Sequence, residues 1–491
     1  MQVEMQTVID VCVIGAGPAG MKAAVRCARA GASVSVIDEQ PRPGGQIYRA
    51  VRENGHPNGD VFGPDYLRGS ALVKAFNQAT ITHISEATLW RIDDNNTVYL
   101  SQHGKAQKIV AKQIIIATGA IERSFPFPGW TLPGVMTAGA CQIMMKTSGL
   151  VPKQAVMVGT GPLLYLLAAQ MVEAGSPPKA IVDTQQSDSY MKAIRYASNA
   201  WKGRKYLIKG LGLLAKLRKA GIKHYTGTTH IEAEGTDCVN RLKFQSGNKS
   251  ISLETETVLA HIGVIPNVQL TRAMGLDHYW DELQVCWKPV LDANYMSCRR
   301  GVYIAGDSGG IGGALVAELQ GELVAVNVLN SLYIGDNQTE GHESAALKKL
   351  IKRELAVRPL LDTLYSPPKQ ALSPSDKTIV CRCEEVTAGQ IREHAAAGAN
   401  GINQIKAFTR CGMGPCQGRY CGTTVAHIIS NKTGVSMEEV GYYRLRNPIK
   451  PLKLGELASL TPANKSFMQK YKSEGVNNER HPKTVHQSTH E

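Results

Sequence analysis

Three features of the sequence predict an α/β fold with two strand–turn–helix units and a small C-terminal helical module. The first is a segment over residues 10–38 that reads as strand, glycine turn, helix and strand, DVCVIG-AGPAG-MKAAVRCARAGA-SVSVID. The second is another strand and glycine turn, AVMVGTG, over residues 155–161. The third is a group of five cysteines between residues 381 and 421.

The composition is typical of a globular protein. The chain has 491 residues, of which 43% are hydrophobic and 20% charged, enough for two or three domains with large cores. The N-terminus carries acidic residues where a signal peptide is basic, and no apolar run reaches the roughly 18 residues of a membrane span. We therefore expect a cytoplasmic protein, or one that lies peripherally on the inner membrane.

One basic stretch accounts for most of the formal net charge of +14: residues 191–223 contain ten Lys or Arg and no Asp or Glu. The sequence contains no recognisable nucleic-acid-binding module, so nucleic acid is not expected as a partner. Two interpretations remain open, a solvated amphipathic helix and a docking surface for a partner subunit or anionic lipid. The apolar residues at helical spacing beneath the charges are Tyr206, Leu207, Leu211, Leu214 and Leu217.

The first glycine turn has the spacing of a dinucleotide site. Gly15, Gly17 and Gly20 form GxGxxG, in which the first glycine makes the turn and the second lets backbone amides approach a pyrophosphate. The third lets helix and strand pack closely. Asp38 ends the next strand, where its carboxylate can accept a hydrogen bond from a ribose. The neighbouring residues assigned to this site are Ala16, Pro18 and Glu39.

Three further segments favour FAD over NAD. GGQ at residues 44–46 offers a second flexible backbone segment near the phosphates, IIIATGA at 114–120 ends a strand in a glycine turn, and GVYIAGD at 301–307 ends another strand in an aspartate. That carboxylate can hold the ribityl chain or the phosphate side of a flavin. The residues assigned to FAD here are Gly45, Gln46, Thr118, Gly119, Gly306 and Asp307.

These elements, in this order, resemble the glutathione-reductase-like flavoproteins with two dinucleotide-binding domains. Two more strand-like segments from Val258 onward indicate that one domain is inserted into another. We therefore predict a discontinuous FAD domain over residues 1–150 and 260–335, interrupted by a second nucleotide-binding-like domain over 151–259. Disulfide reductases of this fold have a CxxC or CxxxxC pair beside the flavin, and residues 1–376 contain neither. Thiol–disulfide chemistry is therefore not expected, and Cys141 is expected to be a packed thiol.

The second unit departs from the pattern. It keeps Gly159 and Gly161, but Leu164 occupies the third glycine position, where a side chain would push the helix from the strand. NAD(P)H binding is therefore not expected. Asp183 ends the following strand and can hold a ribose, so an adenine nucleotide and a vestigial pocket both remain open.

A connector and a cysteine module follow. Residues 336–376 are polar and contain prolines, which predicts an extended linker with one basic helix. The cysteine module covers residues 377–436, and a C-terminal extension over 437–491 ends in a polar tail that we expect to be mobile.

Four cysteines of the module are spaced to converge on one metal site. Cys381 and Cys383 form CxC at the end of a short strand, and Cys411 and Cys416 form CxxxxC around a turn. Thiolates bind zinc or iron–sulfur clusters, but zinc sites usually use CxxC knuckles. The arrangement instead resembles the bacterioferritin-associated-ferredoxin-like [2Fe-2S] domain.

Two helices are expected to frame this site. Thr387 and Gln390 form a capping box that begins one helix, and Pro415 is placed to begin another, whose N-terminus would favour the cluster's negative charge. Cys421 would then point to a different face of the second helix, although it remains an alternative fourth ligand.

The whole order of domains resembles the α (A) subunits of heteromeric bacterial amino-acid dehydrogenases. That group includes opine oxidase, D-hydroxyproline dehydrogenase, dye-linked L-proline dehydrogenase and hydrogen cyanide synthase. The resemblance spans residues 8–460. Its most specific stretches are residues 43–49, 117–123, 201–214, 409–422 and 446–458.

The resemblance implies a role in electron transfer. In this group a β subunit, itself a flavoprotein, oxidises a C–N bond of an amino acid or opine, and the α subunit passes electrons on. It also implies FMN near the subunit interface, and a small third subunit is compatible with it. The sequence shows no His–carboxylate or nucleophile–base arrangement to nominate as catalytic. The alternatives are a self-sufficient NAD(P)H-dependent reductase and a non-enzymatic scaffold that holds zinc.

Overall fold

The first glycine turn lies in a seven-stranded sheet. A computed structural model describes residues 8–51, 59–334 and 337–460. The strands of this sheet are β1 (Val8–Ile14), β2 (Val34–Ile37), β3 (Thr82–Ile84), β4 (Ala87–Ile92), β5 (Thr97–Gln102), β6 (Lys105–Ile116) and β19 (Val302–Ile304). Their order is β3-β2-β1-β6-β5-β4, with β19 also paired to β6. The central pairs are parallel and covered on both faces, which explains the continuous apolar run in β1.

Two long helices pack together beside this sheet. Helix α1 (Pro18–Arg29) has proline in its first turn, where no backbone N–H is needed, and α11 (Ala314–Ser331) follows β19. A Cβ on Gly321 would lie 2.2 Å from the carbonyl oxygen of Ala19, so the two helices can approach this closely only with glycine there. Shorter helices complete this part of the chain: α2 (Gly59–Phe62), α3 (Pro64–Leu67) and α4 (Gly69–Gln78).

The second glycine turn lies in a separate five-stranded parallel sheet of order β11-β10-β9-β15-β8. Its strands are β8 (Val135–Thr137), β9 (Val156–Gly159), β10 (Ala180–Asp183), β11 (Lys223–Tyr225) and β15 (Val258–His261). The helices of this unit are α5 (Ala138–Ser148), α6 (Pro162–Glu173), α7 (Ser187–Ile194), α8 (Ala197–Ala200) and α9 (Arg204–Lys219). An antiparallel sheet is inserted before β15: β12 (Thr228–Glu234), β13 (Arg241–Ser246) and β14 (Lys249–Glu254).

The chain returns to the first sheet through short elements. They are β7 (Ala120–Glu122), which pairs with β16 (Val264–Pro266), then α10 (Gln269–Ala273) and the hairpin β17 (His278–Asp281) and β18 (Cys286–Pro289). Because β19 then joins β6, the second sheet is inserted between two parts of the first unit, as the later strand-like segments indicate. The proposed domain boundaries themselves remain predictions.

The connector is helical, which corrects the expectation of an extended linker. Its helices are α12 (Asn337–Leu355), α13 (Arg358–Leu364) and α14 (Lys369–Leu372), and α12 contains the expected basic helix. Leu347 and Ile351 of α12 are buried against Val316 and Leu323 of α11. The polar composition predicted an extended linker, but one apolar face of α12 is enough to pack this helix against α11.

The cysteine module packs on the β17–β18 hairpin. Its elements are β20 (Ile379–Cys381), β21 (Val386–Thr387), α15 (Ala388–Ala396), α16 (Ile402–Thr409), α17 (Gly422–Thr433), α18 (Met437–Val440) and α19 (Leu454–Ala458). Trp280 and Trp287 of the hairpin share a core with Val380, Ile391 and Val425 of the module. The predicted capping box is present at the start of α15. The tail expected to be mobile lies mostly outside the described residues.

The basic stretch runs from the end of α7 through α8 and α9 to the start of β11. Leu217 is buried and Leu214 is partly buried, but Leu211 is 67% exposed, so the apolar stripe lies only partly beneath the charges, contrary to expectation. Trp201 and Ile208 are similarly exposed, at 72% and 65%. Among the described residues, none of the helices is both long enough and apolar enough to cross a bilayer.

Candidate functional site

Both glycine turns face one large cavity. Its volume of about 940 Å³ lies near the top of the roughly 300–1,000 Å³ range of ligand pockets. Three of the predicted site residues, Ala16, Gly20 and Gly159, do not line the cavity. The predicted site residues that line it are Gly15, Gly17, Pro18, Asp38, Glu39, Gly45, Gln46, Thr118, Gly119, Gly161, Gly306 and Asp307.

The first turn requires glycine at two of its three positions for space within the protein. Gly15 has φ +104°, and a Cβ there would lie 2.5 Å from the carbonyl oxygen of Ala117. A Cβ on Gly20 would lie 1.9 Å from the carbonyl oxygen of Gly15. At Gly17, by contrast, a Cβ would meet only the Cα of Gly45, at 3.9 Å. The space beside Gly17 is therefore the cavity itself.

Asp38 is fixed at the cavity wall by its neighbours. One carboxylate oxygen accepts the N–H of Ala16 at 2.6 Å and the other accepts the N–H of Gln40 at 2.7 Å. Glu39 forms an ion pair of 2.8 Å with Lys450, which also lines the cavity. The C-terminal extension thus contributes a cation to the same wall.

Asp307 sits where α11 is about to begin. Its Oδ1 accepts the N–H groups of Gly312 and Gly313 at 2.8 and 2.9 Å. The positive end of the helix favours this carboxylate. Gly306 is tied to the same helix, because its N–H donates to Gln320 at 2.8 Å. This network holds the loop in place along the cavity.

The second unit fills its own nucleotide positions. Leu164 is fully buried in the core, and the carboxylate of Asp183, which is 1% exposed, accepts the hydroxyl of Tyr165 and the N–H of Gln185. Burial and the nearby carboxylate raise the pKa of Tyr165, so its hydroxyl stays protonated as a donor. His224 lies 3.4 Å from the same carboxylate. This arrangement favours the vestigial pocket over a bound adenine nucleotide.

Sequence analysis missed a His–carboxylate pair on the cavity wall. Nδ1 of His261 lies 2.6 Å from Oε1 of Glu122, and His261 lines the cavity. The two residues are 139 positions apart, so no local spacing signals the pair. His261 ends β15, and β16, which begins three residues later, pairs with β7, which ends in Glu122.

The cysteines form two adjacent groups, and Cys421 belongs to one of them. The Sγ atoms of Cys381, Cys411 and Cys421 lie within 4.8 Å of one another, and the Sγ atoms of Cys383 and Cys416 are 3.6 Å apart. The expectation that Cys421 points away is wrong, because the helix begins at Gly422 and not near Pro415. Residues before Gly422 form turns that fold Cys421 inward.

The sulfur geometry fits a thiolate-bound metal centre. Two thiolates on one tetrahedral metal with bonds of about 2.3 Å lie about 3.8 Å apart. The Cys383–Cys416 separation is close to this value. Hydrogen bonds from Cys411 and Cys421 lower the pKa of Cys381 and thus favour its thiolate. A Cβ on Gly414 would lie 2.2 Å from the Cβ of Cys383, so only glycine permits this approach of the two loops.

A buried tyrosine contacts the first group. The hydroxyl of Tyr443 donates to Sγ of Cys411 at 3.4 Å, and its ring is 2% exposed. A Cβ on Gly412 or Gly418 would lie 2.6 or 2.1 Å from this ring. The two glycines therefore leave the space in which the ring lies, with its hydroxyl next to the thiols.

The cysteine loop touches the cavity wall. Gln269 lines the cavity, and its amide donates to the carbonyl oxygens of Cys416 and Gln417 at 3.2 and 3.1 Å. Arg419 of the same loop also lines the cavity. The thiol cluster and the cavity are thus separated by little more than one side chain.

Comparisons with known proteins agree with this arrangement. Residues 9–321 match the Pyridine nucleotide-disulphide oxidoreductase family, and residues 375–460 match the Sarcosine oxidase A3 domain. The opine oxidase A subunit of Agrobacterium tumefaciens (strain Ach5) is 42% identical over 462 residues, covering 92% of each chain. Hydrogen cyanide synthase subunit HcnB of Pseudomonas protegens is 29% identical, covering 90% of this chain and 96% of that one.

The fold has a solved counterpart. The crystal structure of L-proline dehydrogenase from P. horikoshii matches with a TM-score of 0.68 at 21% identity, covering 92% of this chain and 79% of that chain. The predicted α/β flavoprotein fold with a helical cysteine module is confirmed. The chain belongs to the family of the opine oxidase A subunits, and it is an FAD-dependent oxidoreductase.

Proposed function

We propose that this chain is the electron-transfer subunit of a dehydrogenase that oxidises a C–N bond of an amino acid or opine. The observation that carries the proposal is the contact between the cavity and the cysteine loop through Gln269. A flavin in the cavity and a cluster on the loop would then lie next to each other. A bound flavin accepts two electrons together, and a [2Fe-2S] cluster takes them one at a time.

Different residues of the cavity wall would bind different parts of FAD. The N-terminus of α1 presents its backbone amides to the pyrophosphate, and Asp38 accepts from the ribose. Gly45 and Gln46 line the cavity next to this turn, since a Cβ on Gly45 would lie 2.9 Å from the Cα of Gly17. Asp307 positions the loop along the ribityl chain. The positions of these residues on the cavity wall support the proposed roles.

For the cluster we propose a [2Fe-2S] centre held by four of the five cysteines. Cys383 and Cys416 form one ligand pair, and Cys381 with Cys411 completes the predicted set. Cys421 competes with Cys411 for the fourth position, because both lie in the same sulfur group. Iron and labile sulfide analysis of Cys411→Ser and Cys421→Ser proteins decides between them, since only the ligand's loss removes the cluster.

The substrate site is proposed to lie on a partner β subunit, with FMN near the interface. The named relatives are opine oxidase A subunits, which supports a partnered enzyme of this class. The test compares the chain alone with the complex co-purified with its neighbouring gene products. Dye reduction with opines, proline or hydroxyproline by the complex, and none by the chain alone, is the expected result. Activity of the chain alone would overturn the assignment.

The NAD(P)H reductase alternative is disfavoured by the second unit. The residue expected to hold a ribose, Asp183, is buried and bonded to Tyr165. Anaerobic addition of NADH should therefore leave the flavin absorption unchanged. Rapid bleaching would restore the reductase interpretation.

A further inference from the structure

A His–carboxylate pair, of which His261 lines the cavity, has no role in the proposed electron transfer. His261 is only 2% exposed as a side chain, yet it lines the cavity between the two glycine turns. Its Nδ1 lies 2.6 Å from the Glu122 carboxylate. A buried histidine paired with a carboxylate is built to gain and lose a proton.

Glu122 is held at the N-terminus of a helix. Its two carboxylate oxygens lie 2.9 and 3.2 Å from the N–H of Gly139, in the first turn of the eleven-residue helix α5. A helix N-terminus stabilises an anion. A Cβ on Gly139 would lie 2.5 Å from Glu122 Oε2, so a larger residue would displace the carboxylate.

His261 is fixed against the second glycine turn. Its carbonyl oxygen accepts the N–H of Thr160 at 2.7 Å, and it would lie 1.8 Å from a Cβ on Gly159. A Cβ on Gly161, which lines the cavity, would lie 3.3 Å from Nε2 of the imidazole. The second turn therefore holds a histidine ring beside the cavity.

The hydrogen bond to Glu122 sets the chemistry of the ring. With the Nδ1 hydrogen donated to the carboxylate, the neutral imidazole keeps its lone pair on Nε2. A proton taken up at Nε2 produces an imidazolium that the carboxylate stabilises. The pair then changes from a net charge of −1 to zero.

Other charged groups on the cavity wall and in the second unit have different partners. Lys146 of α5 also lines the cavity, its ammonium donates to the carbonyls of Gln46 and Ile47, and burial lowers its pKa to about 7. Arg123 donates to the carbonyls of Val285 and Gln284. On the far side of β9, the Asp183 carboxylate is bonded to Tyr165 of α6. Among these groups, Glu122 is the one in hydrogen-bond contact with His261.

We propose that the His261–Glu122 pair takes up a proton when the flavin in this cavity is reduced and releases it when the electrons leave. The inference rests on the proposed FAD site. Reduction delivers two electrons and one proton to the flavin, and one further proton passes from water to Nε2 of His261. Reoxidation by the cluster reverses both uptakes, so electrons and protons balance over the cycle.

The test is the pH dependence of the flavin midpoint potential in the purified holoprotein. For a two-electron couple the potential falls by about 30 mV per pH unit for each proton taken up. Wild type should take up two protons, and His261→Gln should take up one, halving the slope. A pH-indicator dye during photoreduction should likewise report half as many protons in the variant. Glu122→Gln keeps an acceptor of the same size but removes the charge, so the two-proton region should move to lower pH.

The matched control is His224→Gln, because His224 also lies beside a buried carboxylate but does not line the cavity. Its slope should equal that of wild type. FAD bound with an unchanged slope and proton count in both His261→Gln and Glu122→Gln would overturn this inference and leave the proposed function standing. A wild-type chain that binds no FAD would overturn both.

Discussion

Gly17 offers a direct test of where the cofactor binds. Its φ of −76° is open to any residue, and the nearest atom that a Cβ there would meet outside the adjacent residues is the Cα of Gly45, at 3.9 Å. The side chain of Gly17→Val would instead enter the cavity at the N-terminus of α1. The substitution should therefore remove the cofactor while leaving the protein folded.

The size of the effect follows from what the valine displaces. The pyrophosphate would lose at least one charge-assisted hydrogen bond, about 1.5–3 kcal/mol. It would also lose its favourable position at the helix terminus, about 0.3–1 kcal/mol. Together these amount to about 2–4 kcal/mol, which raises the dissociation constant of FAD by about 30- to 700-fold.

The assay is fluorescence titration of the FAD-free protein with FAD, together with its melting temperature. Valine at an N-cap costs up to about 1 kcal/mol, so the melting temperature without FAD should fall by no more than about 4 °C. Gly210→Val is the matched control, because a Cβ at Gly210 would have no neighbouring atom within 4 Å and Gly210 does not line the cavity. Wild-type affinity in Gly17→Val would show that the cofactor has been placed in the wrong unit.

Further predictions concern Asp38, the proposed iron–sulfur cluster and the basic helix α9. Asp38→Ala should weaken FAD binding by about 10- to 150-fold, the equivalent of one hydrogen bond to a charged acceptor, in the same titration. Anaerobically purified protein should be yellow-brown with about two irons per chain, and stoichiometric zinc without iron would refute the cluster. Tyr443→Phe should lower the midpoint potential of the cluster by about 20–60 mV, because a donor to Cys411 is lost; an unchanged potential would show that Cys411 is not a ligand. Arg204→Glu should weaken assembly with the partner subunit, and unchanged assembly and membrane association would leave α9 a solvated helix.

Local patterns predicted the parts of the site that lie close together in sequence. The strand, glycine turn and helix around Gly15 are specified within about thirty residues, and the acid at Asp38 ends the next strand in register. The capping box at Thr387 was equally readable, because its bonds span only three residues. Spacing is informative where one turn or one βαβ unit sets the geometry.

Contacts between distant segments were not readable in the same way. Cys421 was misplaced because five residues after Cys416 suggests a helical position, whereas the chain there forms turns that direct the thiol inward. The docking of α12 depends on an apolar face that matches α11, and neither segment reveals the other. Tertiary packing decided both cases.

On our proposal, the second unit keeps the sheet of a nucleotide-binding fold while its glycine turn takes another role. Loss of the third glycine alone would not decide whether the pocket can bind a nucleotide. In addition, Leu164 is buried in the core and the hydroxyl of Tyr165 donates to the carboxylate of Asp183. Of the two glycines that remain, Gly161 borders the ring of His261. Since Gly161 and His261 both line the shared cavity, the second unit would, on this proposal, supply a proton-binding group to the neighbouring unit. The altered motif is therefore better explained by a change of task than by decay alone.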